Sequence, residues 1–87
     1  MYKVTYKPSF LRQYKKLSPQ LQTEVKERLE ILGQDPQHQF LKTHKLKGRL
    51  SGLWSASVNY SHRLIFDYED QQTIVILAVG NHDVYNQ

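Results

Sequence analysis

The sequence predicts an α+β fold: an N-terminal strand, a helical hairpin, then an antiparallel sheet of three or four strands. Three observations predict it. Apolar residues recur at period two in Tyr2, Val4 and Tyr6, at helical spacing in Leu21, Val25, Leu29 and Leu32, and at period two again in Trp54, Ala56 and Val58. Helices and later strands therefore segregate along the chain, the mark of α+β rather than alternating α/β order. The chain is 87 residues long and 39% hydrophobic. That length supports one core, so residues 1–87 read as one domain.

The elements follow in order. Tyr2, Val4 and Tyr6 alternate with Lys3, Thr5 and Lys7, a half-buried strand with a wet face. Pro8 ends it, and Ser9 is placed to cap a short helix over residues 10–17. Phe10, Leu11, Tyr14 and Leu17 share one side of that helix; Arg12, Lys15 and Lys16 take the rest. Ser18-Pro19 restarts the chain, with Ser18 as N-cap and Pro19 at the first helical position, where a missing N–H costs nothing. The second helix covers residues 19–32. Glu24 and Arg28 form a favourable i, i+4 pair on it, and Gly33 is the expected stop. Residues 34–40 contain Asp35-Pro36 and make a loop, with His38 solvated.

From Lys42 onward strands are expected, punctuated by Gly48 and by a turn at Gly52. Across residues 53–60, Trp54, Ala56, Val58 and Tyr60 fall on one face. Leu53, Ser55, Ser57 and Asn59 fall on the other, expected to meet solvent or a ligand. Residues 63–68 form the next strand and Glu69, Asp70, Gln71 and Gln72 a polar turn. Residues 73–79, apolar on both faces, suit a central strand. Gly80-Asn81 ends it, leaving a tail with His82, Asp83 and Tyr85.

Charge is concentrated in one stretch. Residues 42–66 hold Lys42, Lys45, Lys47, Arg49 and Arg63, with His44 and His62, and the acid-free window runs from residue 36 to 66. The formal charge of +4 arises there, since the remaining bases and acids nearly cancel. A local positive field interleaved with Trp54, Tyr60 and Phe66 suits an RNA-binding surface. No cysteine is present, which excludes a disulfide framework and thiolate metal sites. The N-terminal residues lack the apolar run of a signal peptide, and residues 74–79 are too few to cross a bilayer. A cytoplasmic protein with no membrane association is expected.

The order of elements, the segment LKGRLSGLWS, the HRLIF strand and the ending VILAVGNHDVY together resemble the RelE/ParE superfamily of bacterial type II toxins. The likeness covers nearly the whole chain and is greatest to the RelE- and YoeB-like mRNA interferases. It implies an endoribonuclease acting on mRNA in the ribosomal A site and held inactive by a cognate antitoxin. By the same resemblance, Arg63 matches the strand arginine at the scissile phosphate and His82 the C-terminal histidine that acts as general acid. Tyr85 resembles the family's terminal tyrosine, with Asp83 and Val84 intervening here. Lys47 and Arg49 match the RNA-facing basic strand, to which Lys42 and Lys45 add charge. His44 stands where the YoeB-like pattern has a glutamate base, a departure from the family.

The residue types support this chemistry directly. RNA carries its own nucleophile in the 2′-OH, so cleavage needs one proton acceptor, one proton donor and stabilisation of a phosphorane, without a metal or other cofactor. Histidine suits both proton transfers because it titrates near neutral pH. Arginine is permanently charged and forks onto two phosphate oxygens. His44, His82 and Arg63 supply one candidate for each role. The plainer readings are a surface histidine for His44, a pairing with Asp67 for Arg63, a core anchor for Tyr85, a core place for Trp54 and a structural one for His62. No His, Asp or Glu spacing points to a metal site. Two other function classes share these features: a ParE-like gyrase inhibitor of the same fold, and a non-catalytic RNA- or protein-binding module.

Overall fold

Two helices pack on one face of a five-stranded sheet in the computed structural model, which describes residues 1–81. The strands are β1 (Lys3–Tyr6), β2 (His44–Lys45), β3 (Trp54–Ser57), β4 (Arg63–Tyr68) and β5 (Thr73–Gly80). The helices are α1 (Pro8–Lys15) and α2 (Pro19–Gln34), and 3-10 turns cover Gln39–Leu41 and Gly48–Leu50. The sheet order is β1-β5-β4-β3-β2. Strands β2 to β5 form the expected antiparallel meander. Strand β1 returns beside β5 in parallel, Lys3 opposite Thr73 and Tyr6 opposite Ile76, so the sheet is mixed.

The core lies between helices and sheet. Phe10, Val25 and Leu32 from the helices meet Ala56, Val58, Leu64, Phe66, Ile74, Ile76 and Val79, with Leu41 sealing one end. Trp54, half-buried, packs edge-on against Tyr68 at 5.5 Å. Burial pushes the Tyr68 phenol above its ordinary pKa, so this ring stays neutral in the packed layer.

The start of α1 differs from expectation. Its N-cap is Lys7, with Pro8 at the first helical position, and it is Pro8's fixed φ that begins the helix. Ser9 does not cap; its hydroxyl donates to the Leu77 carbonyl at 2.7 Å. The reason lies in β5, which outruns β1. Beyond Ile76 its edge would present unpaired backbone groups. Ser9 takes the Leu77 carbonyl and the Gln13 Oε1 accepts from the Val79 N–H at 2.9 Å, so α1 completes the ladder that β1 leaves unfinished. Leu11, expected beside Phe10, is exposed, because α1 is turned to bring Ser9 and Gln13 to that edge.

Helix α2 starts as expected: the Ser18 Oγ accepts from the Leu21 N–H at 3.2 Å and Pro19 follows. It does not stop at Gly33. The helix continues to Gln34 and ends at Asp35, where the following Pro36 disfavours helical backbone. Gly33 serves closeness instead. A Cβ there would stand 3.3 Å from Val4 Cγ2, and the Gly33 carbonyl accepts from the Tyr2 N–H at 2.7 Å. Among the described residues no helix is long and apolar enough to cross a membrane.

Candidate active site

The sheet face turned away from the helices is fixed by β3. Trp54, Ala56 and Val58 join the core, so Ser55 and Ser57 point the other way. Ser55 lies opposite His44 on one side, and Ser57 lies opposite Arg63 on the other. His44 and Arg63 therefore share this face and flank β3. Two strand spacings and two residues of rise put their Cα atoms roughly 12 Å apart. Both side chains are long enough to reach a group held between them. The expectation that the polar residues here meet solvent fails at Ser55, which is 0% exposed.

His44 sits on the two-residue edge strand and is exposed. Its Nδ1 lies 3.1 Å from the Lys42 carbonyl. A carbonyl only accepts, so Nδ1 carries the proton in that contact. The neutral ring then keeps its lone pair on Nε2.

Arg63 opens β4 and is half-buried. Its Nη1 donates to the Asn59 carbonyl at 2.6 Å and to the His62 carbonyl at 2.9 Å. It does not take Asp67 as its partner in those bonds; an Asp67 carboxylate oxygen accepts from the Tyr68 N–H at 2.8 Å. The guanidinium is thus held by backbone carbonyls of the β3–β4 hairpin. Carbonyl acceptors, unlike a carboxylate, leave a guanidinium's charge uncancelled.

That hairpin is built around Asn59, which the sequence patterns place on a strand face without marking it further. The Asn59 Oδ1 accepts from the Ser61 and His62 N–H groups, both at 2.9 Å, and from His62 Nδ1 at 3.1 Å. Its Nδ2 donates to Glu24 Oε2 at 3.0 Å. The donors on one side and the carboxylate on the other settle the amide's orientation. Arg28 completes the tie, donating from Nε to the Val58 carbonyl at 3.1 Å and from Nη1 to the Phe40 carbonyl at 3.3 Å. Glu24 and Arg28, expected to face each other on α2, instead each reach the hairpin. An Asn between two strand-like runs is an Asx-turn signal, and it would have found Asn59. Nothing local distinguishes Glu24 and Arg28 from an ordinary surface pair. His62, bonded to Asn59, has the structural place expected of it.

The expected basic strand is broken up. Only His44 and Lys45 are strand; Lys47 caps the Gly48–Leu50 turn and Arg49 lies within it, both exposed. Gly48 at φ +67° turns the chain out of the sheet. Lys45 lies opposite Trp54, and its Nζ stands 5.4 Å from the Trp54 ring centroid. Lys42 is exposed and adopts left-handed backbone, φ 48°, at the end of the Gln39–Leu41 turn. Tyr60, expected on the β3 face, lies beyond the strand at the hairpin tip and is 93% exposed. His82 and Tyr85 lie outside the described residues.

With the arrangement in view, likeness to known proteins narrows its meaning. A family model described as the ParE toxin of type II toxin-antitoxin systems, parDE, matches residues 4–84. The chain belongs to this family. Within the wider RelE/ParE superfamily it is similar to the toxin YoeB of Streptomyces coelicolor, 36% identical over 47 residues, or 54% of this chain and 56% of that protein. The chain thus matches just over half the length of that curated relative. Among solved structures, the RelBE2 toxin-antitoxin complex of Mycobacterium tuberculosis contains a chain 28% identical with a TM-score of 0.78, covering 93% of this chain and 98% of that one. YafQ of E. coli superposes over 100% of both chains with a TM-score of 0.81 at 16% identity, a likeness of fold. The family's α+β architecture is therefore the one built here, with β1 parallel to β5 and the helical hairpin on one face.

Proposed function

We propose that this protein is the toxin of a type II toxin-antitoxin system and acts as an endoribonuclease on mRNA, in the ribosomal A site, inhibiting translation. The observation that carries the reading is the placement of His44 and Arg63 on one sheet face, flanking β3, with His44 Nδ1 against the Lys42 carbonyl and Arg63 Nη1 bonded to the Asn59 and His62 carbonyls. In this mechanism His44 Nε2 removes the 2′-OH proton and the 2′-oxygen attacks the adjacent phosphorus. The bond from phosphorus to the 5′-oxygen breaks, and His82 protonates the departing oxygen, a role for which Tyr85 is the alternative donor. Arg63 binds the non-bridging oxygens, whose charge grows in the phosphorane. The products are a 2′,3′-cyclic phosphate and a 5′-hydroxyl. No step draws on a metal. Lys42, Lys45, Lys47 and Arg49 hold neighbouring phosphates. A cognate antitoxin is the second partner, its acidic segments complementary to the same cations. The toxin-antitoxin complex named for the 28% identical relative supports that partner.

The family match supports a second reading, a ParE-like inhibitor of DNA gyrase that works by binding. The two separate in one pair of assays on the purified protein. The first measures cleavage of mRNA on programmed ribosomes, and the second measures gyrase supercoiling. Cleavage abolished by Arg63→Ala, with gyrase untouched, is the expected result. Gyrase inhibition without RNA cleavage would replace this reading with the second.

A further inference from the structure

A groove that begins at Arg63 extends beyond the chemistry above. It runs between the Gln39–Leu41 turn and the tip of the β3–β4 hairpin, and is lined by Arg28, Phe40, Lys42, Ser57, Tyr60 and Arg63, among others. Phe40 is 57% exposed and Tyr60 is 93% exposed. Two large rings thus stand largely exposed beside one groove, Phe40 with the His38 ring 4.7 Å away. The described lining carries three cations and no carboxylate.

The loops bearing these rings are held in place. Asn59 fixes the hairpin that carries Tyr60, and Arg28 bonds the Phe40 carbonyl while its guanidinium lies 5.8 Å from the Phe40 ring centroid. Lys42 reaches the groove from a left-handed backbone position that costs a non-glycine residue about 1 kcal/mol or more. Strain of that kind at a site edge is typical of binding positions.

We infer that this groove is a stacking subsite for a nucleobase of single-stranded RNA, next along the strand from the phosphate on Arg63. The inference rests on the ribonuclease reading. Arg63 belongs to both the active face and the groove, so a strand with its phosphate on Arg63 continues into the groove. There a flat base meets Tyr60 or Phe40 and the following phosphate meets Lys42. Base stacking on such a ring tolerates any base, because every base has a π-face. Aromatic side chains on a tied backbone have few rotatable bonds, so they lose little freedom when the base arrives. An acidic peptide would satisfy the cations but leave the rings without a matched surface, which favours RNA as the occupant.

The test is equilibrium binding of a 2′-O-methyl oligoribonucleotide, which cannot be cleaved, to the full chain, read by fluorescence anisotropy. Tyr60→Ala should weaken binding roughly 10- to 100-fold, and Tyr60→Phe should restore it. Tyr60 is exposed, so both variants should melt like the wild type. A single abasic residue, scanned along the oligonucleotide, should weaken wild-type binding at one position by the same factor. At that position it should add nothing to Tyr60→Ala. Phe40→Ala, tested the same way, should affect the same position or its neighbour. Wild-type affinity in Tyr60→Ala and Phe40→Ala, or a loss uniform across the abasic scan, would overturn the subsite. So would loss of antitoxin binding in Tyr60→Ala with RNA affinity unchanged, which would make the groove a protein-binding surface. Those failures leave the ribonuclease reading intact, provided the wild type cleaves RNA. A wild type that neither binds nor cleaves RNA removes both.

Discussion

The β3–β4 hairpin and the loop through Lys42, Lys45, Lys47 and Arg49 both present positive charge, but they hold it differently. In the hairpin, the Asn59 and His62 carbonyls hold the Arg63 guanidinium, and Glu24 and Arg28 of α2 brace Asn59 and Val58 behind it. In the basic loop the cations extend from a two-residue strand and a 3-10 turn, and all four are exposed. The difference separates two duties of a positive surface. A fixed charge stabilises a transition state, because it needs no reorganisation when charge develops. Mobile charges gather a polyanion from solution, and screening by salt weakens them. Mutations should therefore act on rate at the hairpin and on affinity at the loop.

The largest effect belongs to Arg63→Ala, which should lower single-turnover cleavage by about 100- to 1,000-fold while weakening RNA binding far less. Arg63→Lys should recover only part of it, since ammonium keeps the charge without the fork. Equal losses in rate and binding would reduce Arg63 to another loop-like cation and erase the distinction.

Asn59→Ala should come next. It leaves the Ser61 and His62 N–H groups and Glu24 without their partner, a loss of about 1–3 kcal/mol in stability by thermal or urea melting. Arg63 should then wander and kcat fall about tenfold with KM nearly unchanged, an effect of small displacements on oriented groups. Asn59→Asp keeps an acceptor for those N–H groups but sets a carboxylate against Glu24. Adding Glu24→Gln restores a donor, so the double variant should regain kcat over Asn59→Asp alone. No recovery would mean that Asn59 stabilises the fold without positioning Arg63.

Lys47→Ala and Arg49→Ala should raise KM with the maximal rate little altered. Each should lower the slope of log affinity against log salt by about 0.7 for every phosphate of single-stranded RNA left without its cation. Charge reversal at both should weaken antitoxin binding as well. A fall in kcat instead would bring the loop into the catalytic face. The smallest effect is structural. Gly52 has φ +94° with open space where a Cβ would go, so Gly52→Ala costs only backbone strain. About 1 kcal/mol, or a few degrees in Tm, is expected, read by calorimetry.

What the sequence made legible was local chemistry. Ser18-Pro19 marked the start of α2, and the apolar run in residues 73–79 marked an interior strand, because capping and burial are written in neighbouring residues. Ser9 misled because its hydroxyl answers to Leu77, far along the chain, rather than to the next turn. Lys47 and Arg49 alternate as strand residues would, but β2 ends at Lys45 and Gly48 at positive φ turns the chain between them. Arg63 was legible as a strand arginine facing away from the core. Asn59 carried a local turn signal, but its bracing by Arg28 and Glu24 was not legible, since those bonds arise only when α2 crosses the hairpin.

The parallel pairing of β1 with β5 has a consequence in time. Thr5 donates through Oγ1 to the Ile74 carbonyl across 69 positions, so β1, made first, waits for the much later β5. The helical hairpin can form while synthesis proceeds, but the sheet cannot close until β5 emerges. At roughly 5–20 residues per second, several seconds separate the two events. Pairings of such long sequence separation also form slowly once both strands exist. During that interval α1 lacks the β5 edge to which Ser9 and Gln13 bond, and Arg63 lacks Gly80, its neighbour across the sheet. The nascent chain thus passes a defined period with this sheet face unassembled, and closure of the sheet is set by the arrival of β5.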